Sequence, residues 1–179
     1  LHLPVAVTTS MTALLAIGGL AGYIVAARGL TAKVDANRLA NWGILSGLVA
    51  VVSLLSSAPL YSVILFAIGT VLIGFGTGLF LASTLSLSMG QAKHGDSGLA
   101  LGAWGAVQAS AAGLAIAFAG AIRDGFSSLA SSGALGDTLN HPATGYGVVY
   151  CLEIVLLFAA LIAIGPMTRA QGGPDAVQR

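Results

Sequence analysis

The chain has 179 residues, of which 56% are hydrophobic and only 7% are charged, and its formal net charge is +1. Soluble domains carry roughly 25% charged residues, so this composition excludes a water-soluble globular domain. The near-neutral charge gives no support for a nucleic-acid partner, and the single cysteine, Cys151, offers neither a disulfide framework nor a metal-binding spacing. Apolar runs of about 20 residues recur, which predicts an all-α, polytopic membrane bundle.

The chain is expected to form a single transmembrane domain over residues 1–179. Five segments are predicted to cross the membrane, in chain order: about 4–27, 39–58, 61–88, 98–122 and 146–165. Pro4 suits the first turn of the first helix, and Asp96 or Ser97 can cap the fourth. The Gly/Ser-rich residues 123–145 are expected to form an outer, periplasmic loop with room for one short interfacial helix.

The distribution of basic residues predicts the orientation. One predicted side carries six of the seven: Arg28, Lys33, Arg38, Lys93, Arg169 and Arg179. The opposite side has only Arg123, so the positive-inside rule places the C-terminus, with its flexible tail at 168–179, in the cytoplasm. Half of a transporter built from inverted repeats has six spans, so we expect one N-terminal span to be missing from this chain. The start at Leu1 favours the same interpretation.

Four of the predicted spans contain glycines four residues apart. The pairs are Gly18/Gly22, Gly43/Gly47, Gly74/Gly78 and Gly98/Gly102, and Gly105 extends the last of them. Small residues let two helices approach closely in lipid, so these glycines predict helix packing. An alternative stays open, in which some of these faces form a groove for a flat ligand or a partner helix.

Three polar or aromatic residues inside spans are candidate contacts. Trp104 and Gln108 are four residues apart and share a helix face. Trp104 is typical of an interface anchor, like Trp42 in the second span, whereas Gln108 needs a partner in another helix or in a ligand. Glu153 is the one ionisable residue well inside a span, which makes it a functional candidate. It is expected to pair with Arg123, to stay neutral in the hydrocarbon, or to contact a ligand or proton.

No set of residues in the sequence indicates catalysis. A Ser-His-Asp set, a phosphate-binding loop in a soluble context and a Cys/His cluster are all absent, so we expect no enzyme activity and no metal site of the chain's own. The histidines, His2, His94 and His141, lie outside the predicted membrane interior. This differs from antenna proteins, which hold chlorophyll magnesium with an intramembrane histidine. A pigment would then be held through Gln108, a backbone carbonyl, water or an edge histidine.

Several stretches resemble a known family. "GGLAGYIVAARGLTAKVDANRLANWG" lies where major facilitator proteins carry a conserved basic loop, but it lacks the acidic residue before Arg28, which argues against a proton-driven transporter. "LIGFGTGLF" (72–80), "GLALGAWGAVQASAAGLAIAFAGAIRD" (98–124) and "TGYGVVYCLEIVLLFAALIAIGPM" (144–167) are similar to the PucC/LhaA family. This family is the bacteriochlorophyll-delivery branch of the major facilitator superfamily in phototrophic bacteria.

The resemblance implies the C-terminal half of a major-facilitator-like fold, in which these spans are the last five of twelve. It implies an assembly factor that inserts light-harvesting antenna polypeptides and delivers bacteriochlorophyll in the photosynthetic intracytoplasmic membrane, a bacterial inner membrane. The implied partners are antenna polypeptides, the reaction centre, lipids and the missing N-terminal half. Trp104, Gln108 and Glu153 become pigment-facing candidates. Two alternatives remain, namely a secondary transporter of a small amphipathic solute and a structural subunit retained in a reaction centre–antenna complex.

Overall fold

The computed structural model describes residues 5–92, 96–133, 136 and 144–170 of the chain. These residues form five helices: α1 Val5–Thr31, α2 Ala36–Ser57, α3 Val63–Gln91, α4 Ser97–Ser131 and α5 Thr144–Ala170. Each helix is long and apolar enough to cross a membrane, and the described residues contain no strand. The predicted all-α architecture with five potential spans is therefore confirmed.

The short connection between α1 and α2 is held by local hydrogen bonds. Lys33 adopts a left-handed conformation, with φ 60°. Asp35 then caps α2, because its Oδ1 accepts a hydrogen bond from the backbone N–H of Asn37 at 3.0 Å. Asp96 holds the same position before α4 but makes no side-chain capping bond. The predicted role of Pro4 lies outside the described residues.

Helices α4 and α5 both extend beyond the predicted spans. Residues 123–131, which the Gly/Ser content assigned to a loop, continue α4 as far as Ser131. The helix ends where Gly133 takes a φ of 74°, a conformation that glycine adopts at little cost. Its 35 residues measure about 52 Å, more than the roughly 30 Å of bilayer hydrocarbon. Similarly, α5 passes through Pro166 to Ala170, so residues 168–170 are helical rather than tail.

The chain divides into two compact units, Leu1–Gln91 with Leu156–Arg179, and Ala92–Val155. In the first unit, α3 packs along both α1 and α2, which barely contact each other. Its core joins all three helices through the buried Ala26, Leu39 and Leu79. We refer to these three helices as the α1–α3 bundle.

Glycines set the close approach of the helices in this bundle. A Cβ added to Gly43 would lie 2.8 Å from the carbonyl oxygen of Gly76, and a Cβ on Gly76 would lie 2.6 Å from that of Gly43. Both distances are shorter than real Cβ contacts, so these positions of α2 and α3 exclude a side chain. The same holds between α1 and α3, where added Cβ atoms would collide with facing backbone at Gly18, Gly22, Gly74 and Gly78. By contrast, a Cβ added to Gly47 would meet only the Leu157 side chain, with 3.7 Å to its nearest carbon.

Candidate functional site

Trp104 and Gln108 lie one turn apart on α4, and both are half-buried. The surroundings of the neighbouring glycines differ from those in the α1–α3 bundle. A Cβ added to Gly98, Gly102 or Gly105 would meet no atom within 4 Å. We call this surface, formed by the three glycines and bordered by Trp104 and Gln108, the α4 small face. Among the described residues it has room for an approaching group.

Glu153 lies on α5, half-buried, on the same helix face as two tyrosines. Tyr146, Tyr150 and Glu153 have the spacing i, i+4 and i+7, which aligns them along one side of the helix. Tyr150 is also half-buried, whereas Tyr146 is exposed. The two phenols and the carboxyl group can donate or accept hydrogen bonds along about 10 Å of α5.

Arg123 does not pair with Glu153, so that predicted ion pair is wrong. The guanidinium instead contacts its neighbour Asp124, with Nη2 at 2.7 Å and Nε at 2.9 Å from Oδ1. Its Nη1 donates a hydrogen bond to the Tyr146 hydroxyl at 3.3 Å, and its Cζ lies 5.4 Å from the centre of that ring. A carboxylate on the adjacent residue reaches the guanidinium without any tertiary rearrangement, which favours this partner.

A close contact joins α4 and α5 within the second unit. A Cβ added to Gly145 would lie 2.5 Å from the carbonyl oxygen of Arg123 and would also collide with Oγ of Ser127. From this contact, Glu153 lies about 12 Å along α5, whereas Gln108 lies about 22 Å back along α4. Measured along their own helices, Gln108 and Glu153 therefore lie at different distances from this contact.

The α1–α3 bundle also carries a cavity that no sequence pattern predicted. Its volume is about 550 Å³, and its lining residues are Val25, Val34, Arg38, Leu39, Trp42, Phe75 and Leu79. We call it the α1–α3 groove. Leu39 and Leu79 are buried at its base, and Trp42 is 61% exposed at its rim. The size lies within the range of ligand-binding pockets in proteins.

Arg38 is the one charged residue that lines this groove. It lies four residues before Trp42, so the two share a face of α2 near its first turn. This spacing was a usable signal in the sequence. The apolar part of the lining was not, because it comes from three helices whose packing no local pattern reveals.

Comparisons with known proteins agree on one family. A family model described as "PUCC protein" matches residues 1–172. A Rhodobacter capsulatus protein described as "Uncharacterized protein in puhA-bchM intergenic region" is 46% identical over 169 residues, which cover 94% of this chain and 35% of that protein. Protein PucC of Cereibacter sphaeroides is 40% identical over 170 residues, covering 95% and 36% respectively. The chain thus spans about a third of the length of these relatives. No solved structure matches it.

Proposed function

Because the chain belongs to the PUCC protein family, we propose that it acts in light-harvesting complex assembly in a phototrophic bacterium. In this proposal it helps to insert antenna polypeptides and delivers bacteriochlorophyll to them as cargo. It works as a multi-pass protein of the photosynthetic intracytoplasmic membrane, with its C-terminus in the cytoplasm. The match of the family model over residues 1–172 is the observation that carries the proposal.

The α4 small face supports a contact with a helix or a flat pigment. In α4, none of the apolar stretch that could cross the membrane is buried. In α2, 39% of the corresponding stretch is buried. A face of small residues permits close approach in lipid, where dispersion contacts are the main attraction. Trp104 adds an aromatic ring for stacking, and Gln108 adds an amide that can hydrogen-bond to a carbonyl group. An antenna helix or a tetrapyrrole ring fits these features.

Glu153 supports a second and separate polar contact. Its carboxyl oxygens suit a hydrogen-bond donor or a hard cation such as magnesium. The described residues contain no group of three or more His, Cys, Asp or Glu side chains that would hold a metal ion on its own. In our proposal Glu153 therefore contacts bound cargo and does not form a metal centre of the chain. Since Glu153 lies on α5 and Gln108 on α4, the two contacts should be separable by mutation.

The first test is a near-infrared absorption spectrum of the protein purified gently from phototrophic membranes, together with identification of the polypeptides that co-purify. We expect a bacteriochlorophyll band and antenna polypeptides with the unmodified chain. Gln108→Leu and Glu153→Gln should each reduce the pigment per protein. The matched controls are Gln91→Leu, at the exposed end of α3, and Asp96→Asn, an exposed residue just before α4; both should retain it.

Other outcomes separate the alternatives. A colourless protein without antenna polypeptides would contradict the proposal, and solute flux in reconstituted vesicles would then support a secondary transporter. A chain that stays at fixed stoichiometry in a mature reaction centre–antenna complex would support a structural subunit. Unchanged pigment in both variants would remove Gln108 and Glu153 from the proposed contacts.

A further inference from the structure

The α1–α3 groove is apolar along its length and charged at one point. Its lining includes Val25 and Val34 together with the buried Leu39 and Leu79. The Arg38 guanidinium is exposed where the groove meets the start of α2. An occupant that satisfies both parts has an apolar body and a negatively charged end. A small inorganic anion would leave the apolar walls uncovered, and a purely apolar ligand would make no use of Arg38.

The surrounding charges reinforce this requirement. Arg28, Lys33 and Arg38 lie within eleven residues of the chain, with Asp35 as the one acidic residue among them. The Asp35 carboxylate is engaged by Asn37, through the backbone N–H at 3.0 Å and through Nδ2 at 3.4 Å. Within the part of the chain that the structure describes, no carboxylate lies within 4.0 Å of the three cations, since the ion pair found there is Arg123–Asp124. This end of the bundle therefore attracts anions.

The position of the groove identifies the kind of anion. It opens near the ends of two helices long and apolar enough to span a membrane. Exposed Trp42 on its rim is typical of the level at which lipid headgroups meet hydrocarbon. A long arginine side chain at that level extends its charge towards the headgroups while its stem covers apolar surface.

We propose that the α1–α3 groove is a binding site for an anionic phospholipid. The lipid phosphate lies at Arg38, and an acyl chain follows the apolar lining past Leu39 and Leu79. Its lining residues are different from those of the α4 small face and do not include Glu153. The proposal concerns lipid binding by the α1–α3 bundle, and it does not depend on the proposed role in antenna assembly.

Tryptophan fluorescence can test the site directly, because the chain has only two tryptophans. In a Trp104→Phe variant, Trp42 reports on the groove; in a Trp42→Phe variant, Trp104 reports on α4. Each variant is reconstituted in phosphatidylcholine vesicles that contain the same fraction of brominated phosphatidylglycerol or brominated phosphatidylcholine. Bromine quenches a nearby tryptophan, so the ratio of quenching constants measures the preference for the anionic headgroup. We expect a preference at Trp42 and none at Trp104.

Arg38→Gln, made in the Trp104→Phe background, should lower this preference about five-fold, the size expected for one basic residue near an anionic membrane surface. Quenching by brominated phosphatidylcholine should not change, which shows that the bundle is still folded. Arg38→Lys should keep most of the preference. Arg28→Gln is the matched control, because Arg28 belongs to the same basic segment without lining the groove; it should have at most half of the effect of Arg38→Gln.

Three results would overturn the proposal. Equal quenching of Trp42 by the two lipids would show that the groove does not select an anionic headgroup. Equal losses in Arg38→Gln and Arg28→Gln would reduce the preference to general attraction by the basic segment. If neither lipid quenches Trp42 while both quench Trp104, the groove holds another occupant, such as a protein segment or a tetrapyrrole.

Discussion

The α1–α3 bundle and α4 carry the same glycine spacing in different surroundings. In the bundle, an added Cβ would collide with the backbone of the facing helix at Gly18, Gly22, Gly43, Gly74, Gly76 and Gly78. On α4, an added Cβ at Gly98, Gly102 or Gly105 would meet nothing within 4 Å. The Gly-x-x-x-Gly spacing therefore marks a helix face that another helix can approach closely. The pattern alone does not say whether another element of the chain covers that face.

The largest expected effect is a loss of stability on adding a methyl group in the α1–α3 bundle but not on α4. In Gly74→Ala the new Cβ would collide with the Leu15 carbonyl oxygen and lie 2.8 Å from the Gly19 backbone nitrogen. Neither atom can move without displacing α1, so we expect the free energy of unfolding to fall by about 1–3 kcal/mol. Unfolding in mixed micelles of mild detergent and dodecyl sulfate, followed by circular dichroism, measures it. Gly102→Ala is the matched control on α4; its new Cβ meets no atom within 4 Å and alanine favours a helix more than glycine does, so this variant should not lose stability. Equal losses in both variants would contradict the comparison.

Gly145 offers a smaller effect in the second unit. An alanine there meets the Arg123 carbonyl oxygen and Oγ of Ser127. The hydroxyl can rotate away but the carbonyl cannot, so we expect a loss near the lower end of about 1–3 kcal/mol. Adding Ser127→Ala should restore part of it. Gly147→Ala provides the control, because a Cβ there meets no atom within 4 Å. The same denaturation experiment applies, and a loss in Gly147→Ala as large as that in Gly145→Ala would refute the packing explanation.

A polar contact between α2 and α3 should contribute less. Ser46 donates a hydrogen bond from Oγ to the carbonyl oxygen of Leu72 at 3.1 Å. Interhelical hydrogen bonds in membranes average about 0.6 kcal/mol, so Ser46→Ala should lower the unfolding free energy by about that amount. Ser53→Ala is the control, since the Ser53 hydroxyl bonds to Val49 within its own helix. If Ser53→Ala is the more damaging variant, the hydrogen bond to α3 does not stabilise the bundle.

The smallest effect is expected for Tyr146→Phe. Tyr146→Phe removes the hydroxyl that accepts from Arg123 at 3.3 Å but keeps the ring beneath the guanidinium. Because Tyr146 is exposed and the Arg123 side chain is 41% exposed, we expect a loss of less than about 0.5 kcal/mol. Tyr146→Leu also removes the cation–π contact and should cost about 0.5–1 kcal/mol. An equal loss in the two variants would show that the hydroxyl, and not the ring, holds Arg123.

Features that depend on neighbouring residues in the chain could be predicted from the sequence more accurately than features that depend on tertiary contacts. The number of helices followed from hydropathy, because lipid requires about 20 consecutive apolar residues per span whatever their tertiary contacts. The end of α4 was placed too early because Gly and Ser within residues 123–131 suggested a loop, whereas the helix continues to Ser131, two residues before Gly133 with its positive φ. Arg123, at the outer end of the fourth predicted span, was one predicted partner of Glu153, but it pairs with Asp124, its neighbour in the chain.

Among the candidate contacts, too, some follow from the sequence and others from tertiary packing. The spacing of Trp104 and Gln108 predicts a shared face, because helix geometry alone decides it. Their position relative to Glu153 depends on the contact between α4 and α5 at Gly145, which no local pattern reveals. The groove was missed for the same reason, since its lining comes from α1, α2, α3 and the connection before α2.

By itself, the sequence determined the membrane class, the helical architecture and the family, because composition, span length and local motifs act over a few turns of one helix. It also placed the glycines at positions where close approach is possible. Only the tertiary structure decided which of those glycines face another backbone, which carboxylate pairs with Arg123 and where Arg38 meets an apolar cavity. Each of these depends on distances between residues far apart in the chain, and such distances are set by how the helices pack against one another.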